Sequence, residues 1–140
     1  MPARSKARKR ALDILYESEL RGLALDATLE ERQASAAATG HLPVHDYTVV
    51  LVRGVRENRS RIDGLLTSYS EGWTLERMPS VDRNILRIGL YEVLYVDDVP
   101  DAVAVSEAIA LARELSTDES PNFVNGVLGN VVRNKATLSA

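Results

Sequence analysis

Apolar residues recur at the spacing of an α-helix along most of the chain, and no alternating, strand-like pattern persists anywhere in it. Glycines, prolines and polar clusters divide this pattern into successive helices. We predict helices over residues 7–22, 25–38, 44–57, 59–68, 81–96 and 100–115, and a seventh that begins at residue 120. Residues 70–79 are predicted to be irregular, and Ser80 and Ser120 are predicted to cap the helices that follow them. The fold class is therefore all-α, with about seven helices.

The fifth predicted helix differs from the others because its apolar residues point to nearly every side. A helix that is apolar all round must be surrounded by other elements. We therefore expect residues 81–96 to form a central helix, and we expect Gly89 to let a neighbouring helix approach closely.

Length and composition predict one domain that is not an enzyme and needs no metal or cofactor. The 140 residues suffice for one core, which we divide into subdomains of roughly 1–78 and 79–140. The chain has no cysteine, and His41 and His45 have too few partners for a convincing metal site. No glycine-rich phosphate loop and no recognisable serine–histidine–acid arrangement is present.

The same sequence predicts a cytoplasmic protein. No apolar stretch approaches the roughly 20 residues that a membrane-spanning helix needs. The basic start is similar to that of a signal peptide, but Asp13 and Glu17 interrupt the apolar stretch that would have to follow.

Positive charge is concentrated at the amino-terminal end of an otherwise acidic chain. Five of the seven residues 4–10 are basic, whereas the whole chain carries a net charge of −3, so the remainder carries −8. Such a molecule attracts polyanions at one end and repels them elsewhere. Five contacts to a single nucleic-acid strand would give a log–log salt slope of about −3.5.

Two interpretations of this basic run stay open on these grounds. It is either a solvated end without function or a site for a short single strand, whose bases stack on aromatic side chains. Duplex DNA is less favoured, because no convincing helix-turn-helix pair is present and the acidic remainder would oppose a long duplex. Candidate stacking platforms are Tyr16, Tyr69 and Phe123, although each alone is more typical of a core residue.

The first predicted helix carries an apolar pair on the side opposite its core face. Tyr16 and Leu20 are four residues apart and project about 150° or more from the face centred on Ala11, Ile14 and Leu15. Either a neighbouring helix covers this pair, or it is exposed as a docking patch for a partner.

The order and spacing of several segments resemble the NusB (N-utilisation substance B) family of transcription antitermination factors. Residues 7–16 are similar to the family's arginine-rich helix, which ends in Leu-Tyr, and residues 81–92 read VDRNILRIGLYE. The other matching segments are residues 62–66, 98–100, 107–112 and 123–128. The resemblance covers essentially the whole chain.

This resemblance implies two three-helix bundles around an additional central helix. It implies binding to the single-stranded boxA element of nascent ribosomal RNA together with the ribosomal protein NusE. The complex would join RNA polymerase and suppress premature termination. Some members of the family self-associate, and the sequence leaves open whether this chain is a monomer or a homodimer.

The resemblance also implies roles for individual residues. The RNA-binding basic segment contains Arg4, Lys6, Arg8 and Arg10, and the aromatic positions around the RNA are Tyr16, Tyr69 and Phe123. The positions at the NusE contact are Tyr16, Leu20, Glu76 and Asp82. Asn122 stands where relatives can carry a basic residue, and Ser5 interrupts the arginine run of some members.

Two rival functions remain beside this one. A similar helical domain precedes the catalytic half of certain RNA cytosine methyltransferases, so the chain is alternatively an accessory domain of an RNA-modifying assembly. The other rival is an interaction module whose basic end binds no RNA.

Overall fold

The computed structural model describes residues 2–138, and within them the chain forms eight α-helices, one short 3-10 helix and no strand. The all-α prediction is therefore confirmed. The α-helices are α1 (Ala3–Arg21), α2 (Leu25–Thr39), α3 (Asp46–Glu57), α4 (Arg59–Tyr69), α5 (Ser80–Tyr95), α6 (Asp101–Leu115), α7 (Ser120–Arg133) and α8 (Lys135–Leu138). The 3-10 helix, Leu75–Arg77, lies in the stretch predicted to be irregular.

The chain forms two compact units, Met1–Glu57 and Asn58–Ala140. The sequence placed the division near residue 78 instead. The difference arises because α4 packs against α5 and α7, which groups it with the second unit. Hydrophobic patterning shows that α4 is a helix but not which neighbours it contacts.

The first unit is a bundle of α1, α2 and α3, each of which packs against the other two. Its core contains the predicted face of α1, in which Ala11 and Ile14 are fully buried. The Thr48 hydroxyl of α3 donates a buried hydrogen bond of 2.9 Å to the carbonyl of Ala7, which joins α3 to α1. Helix α1 ends at Arg21, and Gly22 follows it with a left-handed backbone (φ +66°). This conformation lets the N–H of Leu23 donate a hydrogen bond to the Ser18 carbonyl.

The second unit is built around α5, which packs against α4, α6 and α7. Ten of the residues of α5 are buried, as the apolar pattern on all its sides predicts. A Cβ atom built on Gly89 would lie 2.7 Å from Leu128 Cδ1 of α7 and 3.4 Å from Ala108 Cβ of α6. The expected close approach at Gly89 is therefore confirmed.

Both predicted N-caps are displaced by one residue. Pro79 and Glu119 occupy the N-cap positions of α5 and α7, and Ser80 and Ser120 are the first residues of those helices. Ser120 is buried, and its hydroxyl donates a 2.8 Å hydrogen bond to the carboxylate of Asp82. This serine therefore joins α7 to α5 rather than capping its own helix.

None of the helices in residues 2–138 combines the length and the apolar character that crossing a membrane would require.

Candidate nucleic-acid interface

The basic run of residues 4–10 lies in the first two turns of α1, and the helix divides its charges between different faces. Residues two apart on a helix are separated by about 200°, whereas residues four apart share a face. Arg4 and Arg8 therefore point one way, and Lys6 and Arg10 point another. The two pairs have different surroundings.

Arg4 and Arg8 lie against Tyr47, a buried residue in the first turn of α3. The Cζ atom of Arg4 is 4.3 Å from the centroid of the Tyr47 ring, and that of Arg8 is 5.7 Å from it. Both guanidinium groups are thus within range of a cation–π interaction with this ring. Arg8 is only 3% exposed, so its side chain is part of the packing between α1 and α3.

Lys6 and Arg10 are exposed and line a groove of about 490 Å³ between α1 and the segment that leads into α3. Leu42, Pro43, Val44, His45 and Thr48 form the other side of this cationic groove. No acidic residue is among those that line it. Within residues 2–138, the side chains of Lys6 and Arg10 have no ion-pair partner, so both charges are available to an external anion.

Tyr16 and Leu20 are exposed at 38% and 74%, so the part of the chain that the structure describes leaves the pair open to solvent. The predicted outward orientation is confirmed. Leu23, which follows α1, is also exposed. Tyr16 and Leu20 form an exposed apolar patch on α1, which is the candidate docking patch.

Beside this patch, Glu17 joins α1 to α2 through two arginines. Arg32 donates to Glu17 at 2.6 Å, and Arg21 contacts both Glu17 at 3.2 Å and Glu31 at 2.9 Å. The hydrogen bond from Arg32 is the main cause that lowers the pKa of Glu17 below its ordinary value of 4.5, although desolvation opposes it. The same network raises the pKa of Arg21, chiefly through Glu31.

In the second unit, Tyr69 and Phe123 line one concavity of about 370 Å³. Trp73 lines it as well and is 52% exposed, with its ring centroid 5.8 Å from that of Phe123 and the two planes tilted by 47°. The polar residues without an aromatic ring that line this aromatic concavity are Ser70, Glu71, Asn122, Asn130 and Arg133. Trp73 was not predicted as a site residue from the sequence, although it is the only tryptophan of the chain and lies in the stretch predicted to be irregular.

A tight turn presents Trp73 to this concavity. Glu71 has a φ of +42° and Gly72 a φ of +87°, and the N–H of Trp73 donates to the Ser70 carbonyl at 3.1 Å. Positive φ at both central positions is characteristic of a type I′ turn. Glycine and asparagine adopt this conformation readily, whereas a glutamate is strained by it.

Asp82 and Glu76 have opposite environments. Asp82 is only 4% exposed, and its carboxylate accepts hydrogen bonds from Ser116 and Ser120. It therefore cannot meet a partner in this conformation. Glu76 is exposed in the 3-10 helix, and no hydrogen bond or ion pair holds its side chain within residues 2–138.

No group of three or more histidine, cysteine or acidic residues suited to a metal ion occurs within residues 2–138. Exposed cations line the groove of the first unit, whereas aromatic rings, amides, one carboxylate and one arginine are among the described residues that line the concavity of the second.

Residues 5–133 match the model of the NusB family. A Nocardioides protein named transcription antitermination protein NusB is 63% identical over 99% of this chain and 100% of its own length. The chain belongs to the NusB family. A Kineococcus radiotolerans protein of the same name is 55% identical over the full length of both chains.

Solved NusB structures share the fold. Thermotoga maritima NusB superposes with a TM-score of 0.82 at 33% identity, covering 100% of this chain and 99% of that one. A complex of the antitermination factors NusB and NusE with double-stranded RNA contains a chain that matches with a TM-score of 0.79 at 23% identity. That match covers 93% of this chain and 96% of the other, and at this identity it shows the fold alone.

Membership of the NusB family also settles the choice between enzyme and non-enzyme. The family consists of antitermination factors without enzymatic activity, as the sequence predicts.

Proposed function

We propose that this protein is a transcription antitermination factor that binds the single-stranded boxA element of nascent ribosomal RNA together with the ribosomal protein NusE. The bound complex helps RNA polymerase resist termination, in the cytoplasm. The chain acts as one RNA-binding domain, and each compact unit carries a binding surface of its own. The observation that carries this proposal is the cationic groove. Lys6 and Arg10 line it and no acidic residue is among its described lining residues, so it can accept phosphates, and the chain belongs to the NusB family.

The phosphates are held by the exposed cations of α1. Lys6 and Arg10 contribute from the cationic groove, and Arg4 contributes from its position over the Tyr47 ring. Arg8, which the resemblance placed among the RNA contacts, instead fixes α1 on α3 because it is buried against the same ring.

The bases stack on the rings of the aromatic concavity. Tyr69, Trp73 and Phe123 supply exposed or half-buried π faces, which bind unpaired bases without strict sequence preference. Tyr16 lies one and a half turns beyond Arg10 and serves the partner patch and the adjacent RNA.

NusE binds the docking patch of Tyr16 and Leu20, and the exposed carboxylate of Glu76 meets basic residues of this partner. Asp82 is withdrawn from the partner surface because both of its carboxylate oxygens accept hydrogen bonds inside the second unit. A solved complex of NusB and NusE with double-stranded RNA contains a chain of this fold, which supports NusE as the kind of partner.

The decisive experiment is a titration of a labelled boxA RNA with this protein, in the presence and absence of NusE, followed by a read-through assay on a boxA template. Affinity that rises with NusE and termination that falls with both proteins support antitermination. Tight NusE binding without any RNA retention would instead favour an accessory module that binds no RNA. Sedimentation of the protein alone tests whether a second copy covers the Tyr16–Leu20 patch.

A further inference from the structure

Among residues 2–138, one carboxylate lines the aromatic concavity, and phosphate binding does not explain its presence there. Glu71 lines the concavity beside Tyr69 and Trp73. A carboxylate repels phosphate, so a surface that served only the RNA backbone would not place one among its stacking rings. A ligand group that donates hydrogen bonds is therefore complementary to Glu71.

Glu71 is held in this position at a cost in backbone energy. It is the one residue other than glycine with a positive φ within residues 2–138. The turn is closed by the hydrogen bond from Trp73 N–H, and it is anchored by Ser70, whose hydroxyl donates to the Leu66 carbonyl. Strained non-glycine positions cluster at ligand-binding sites, where the surrounding structure fixes them.

The acceptor capacity of Glu71 is unused by the protein. Within residues 2–138 its side chain takes part in no hydrogen bond or ion pair. Arg133, the cation of the same concavity, donates to the Asn130 side chain at 2.9 Å instead. Glu71 thus brings two uncommitted carboxylate oxygens to a concavity that aromatic rings also line.

We infer that this concavity binds one unpaired guanine base of the RNA, stacked on the exposed ring of Trp73 and hydrogen-bonded to Glu71. Guanine presents adjacent N–H donors on its Watson–Crick edge, which match the two oxygens of a carboxylate. Cytosine and adenine present one amino group each, and uracil presents a single N–H between two carbonyls that a carboxylate repels. The volume, about 370 Å³, is at the lower end of the range of small-ligand pockets, which suits one base rather than several.

This inference deepens the proposed function and rests on it, because it names the base that the RNA site selects. Trp73, the only tryptophan, reports occupancy of the concavity through its fluorescence. Retention of RNA on a filter reports binding anywhere on the protein. The two signals are measured in parallel on uridine pentaribonucleotides whose central base is guanine, cytosine, adenine or uracil.

The guanine pentamer is expected to quench Trp73 and to bind about tenfold more tightly than the all-uridine pentamer. In Glu71→Gln, which keeps the size of the side chain, this ratio should fall to near one. Asp97→Asn is the matched control, because Asp97 is an exposed carboxylate outside the concavity. It should preserve the guanine preference.

A ratio near one in the unmodified protein, or a guanine preference that survives in Glu71→Gln, would overturn the inference. Retention of the pentamers on the filter with unchanged Trp73 fluorescence would also overturn the inference. In that case the proposed function would stand, because RNA would bind elsewhere on the protein. If neither the pentamers nor the longer boxA RNA is retained in the presence of NusE, both the guanine inference and the proposed function are wrong.

Discussion

Exchanging Lys6 and Arg10 for alanine tests whether the cationic groove holds RNA phosphates. Both side chains are exposed, and no acidic residue lines the groove around them. Each cation that contacts a single-stranded phosphate contributes about −0.7 to the slope of log affinity against log salt. The double variant should therefore flatten the slope by about 1.4.

Arg8→Ala should behave differently although it removes a charge of the same sign. Its guanidinium lies 5.7 Å from the Tyr47 centroid, and the residue is 3% exposed. The slope should stay unchanged, while the free energy of unfolding should fall by about 1–2 kcal/mol because a buried cation–π contact and its packing are lost.

Fluorescence anisotropy of a labelled boxA RNA, measured from about 50 to 200 mM salt, gives the slopes. Over this range the loss of affinity should be about sevenfold smaller for the double variant than for the unmodified protein. The matched control is the double exchange of Arg53 and Arg113, two exposed arginines that line neither the cationic groove nor the aromatic concavity. It removes the same charge elsewhere.

Two results would refute this reasoning. If the control flattens the slope as much as the exchange of Lys6 and Arg10, then net charge rather than the groove determines the salt dependence. If Arg8→Ala alone flattens the slope, its guanidinium reaches the RNA, and the helix face that contacts Tyr47 has been assigned the wrong role.

Three further predictions concern other parts of the molecule. Tyr16→Ala should weaken NusE binding in calorimetry by about tenfold or more with an unchanged melting temperature, because the ring is already 38% exposed. Glu17→Gln should lower the free energy of unfolding by less than about 1 kcal/mol at neutral pH. Because the pKa of Glu17 is lowered by folding, this difference should vanish in urea titrations as the pH falls below 4.5 and through the folded-state value. Gly89→Ala should destabilise by about 1–3 kcal/mol, because its Cβ would meet Leu128, whereas Gly64→Ala, with open space around it, should stabilise. Equal effects of the two glycine exchanges would contradict the close approach at α5.

The helices could be predicted from the sequence because their apolar residues repeat at a local spacing. The pattern on all sides of residues 81–96 likewise indicated that α5 is surrounded. The spacing does not identify long-range neighbours, so it did not show that α4 packs against α5 and α7. The two serines were predicted as caps from residue type alone, whereas Pro79 and Glu119 precede the helices.

The candidate site was only partly predictable for the same reason. Charge density indicated the basic run, and periodicity indicated the outward Tyr16. Arg8 lies three residues before Ala11 and seven before Leu15, so its position on the core face was visible in the sequence, but its partner Tyr47 on another helix was not. Trp73 belongs to no periodic segment, and only the turn at Glu71 brings it beside Phe123.

The ring of Tyr47 has a consequence for binding that a count of charges does not capture. Because Arg4 is already oriented by this ring, the start of the chain loses less conformational freedom when a polyanion arrives. Leucine in place of Tyr47 would leave every cation present and yet loosen the first turn of α1. The affinity of this protein for a polyanion therefore depends on more than the number of its positive charges. The uncharged ring of Tyr47 also affects it, because it orients Arg4.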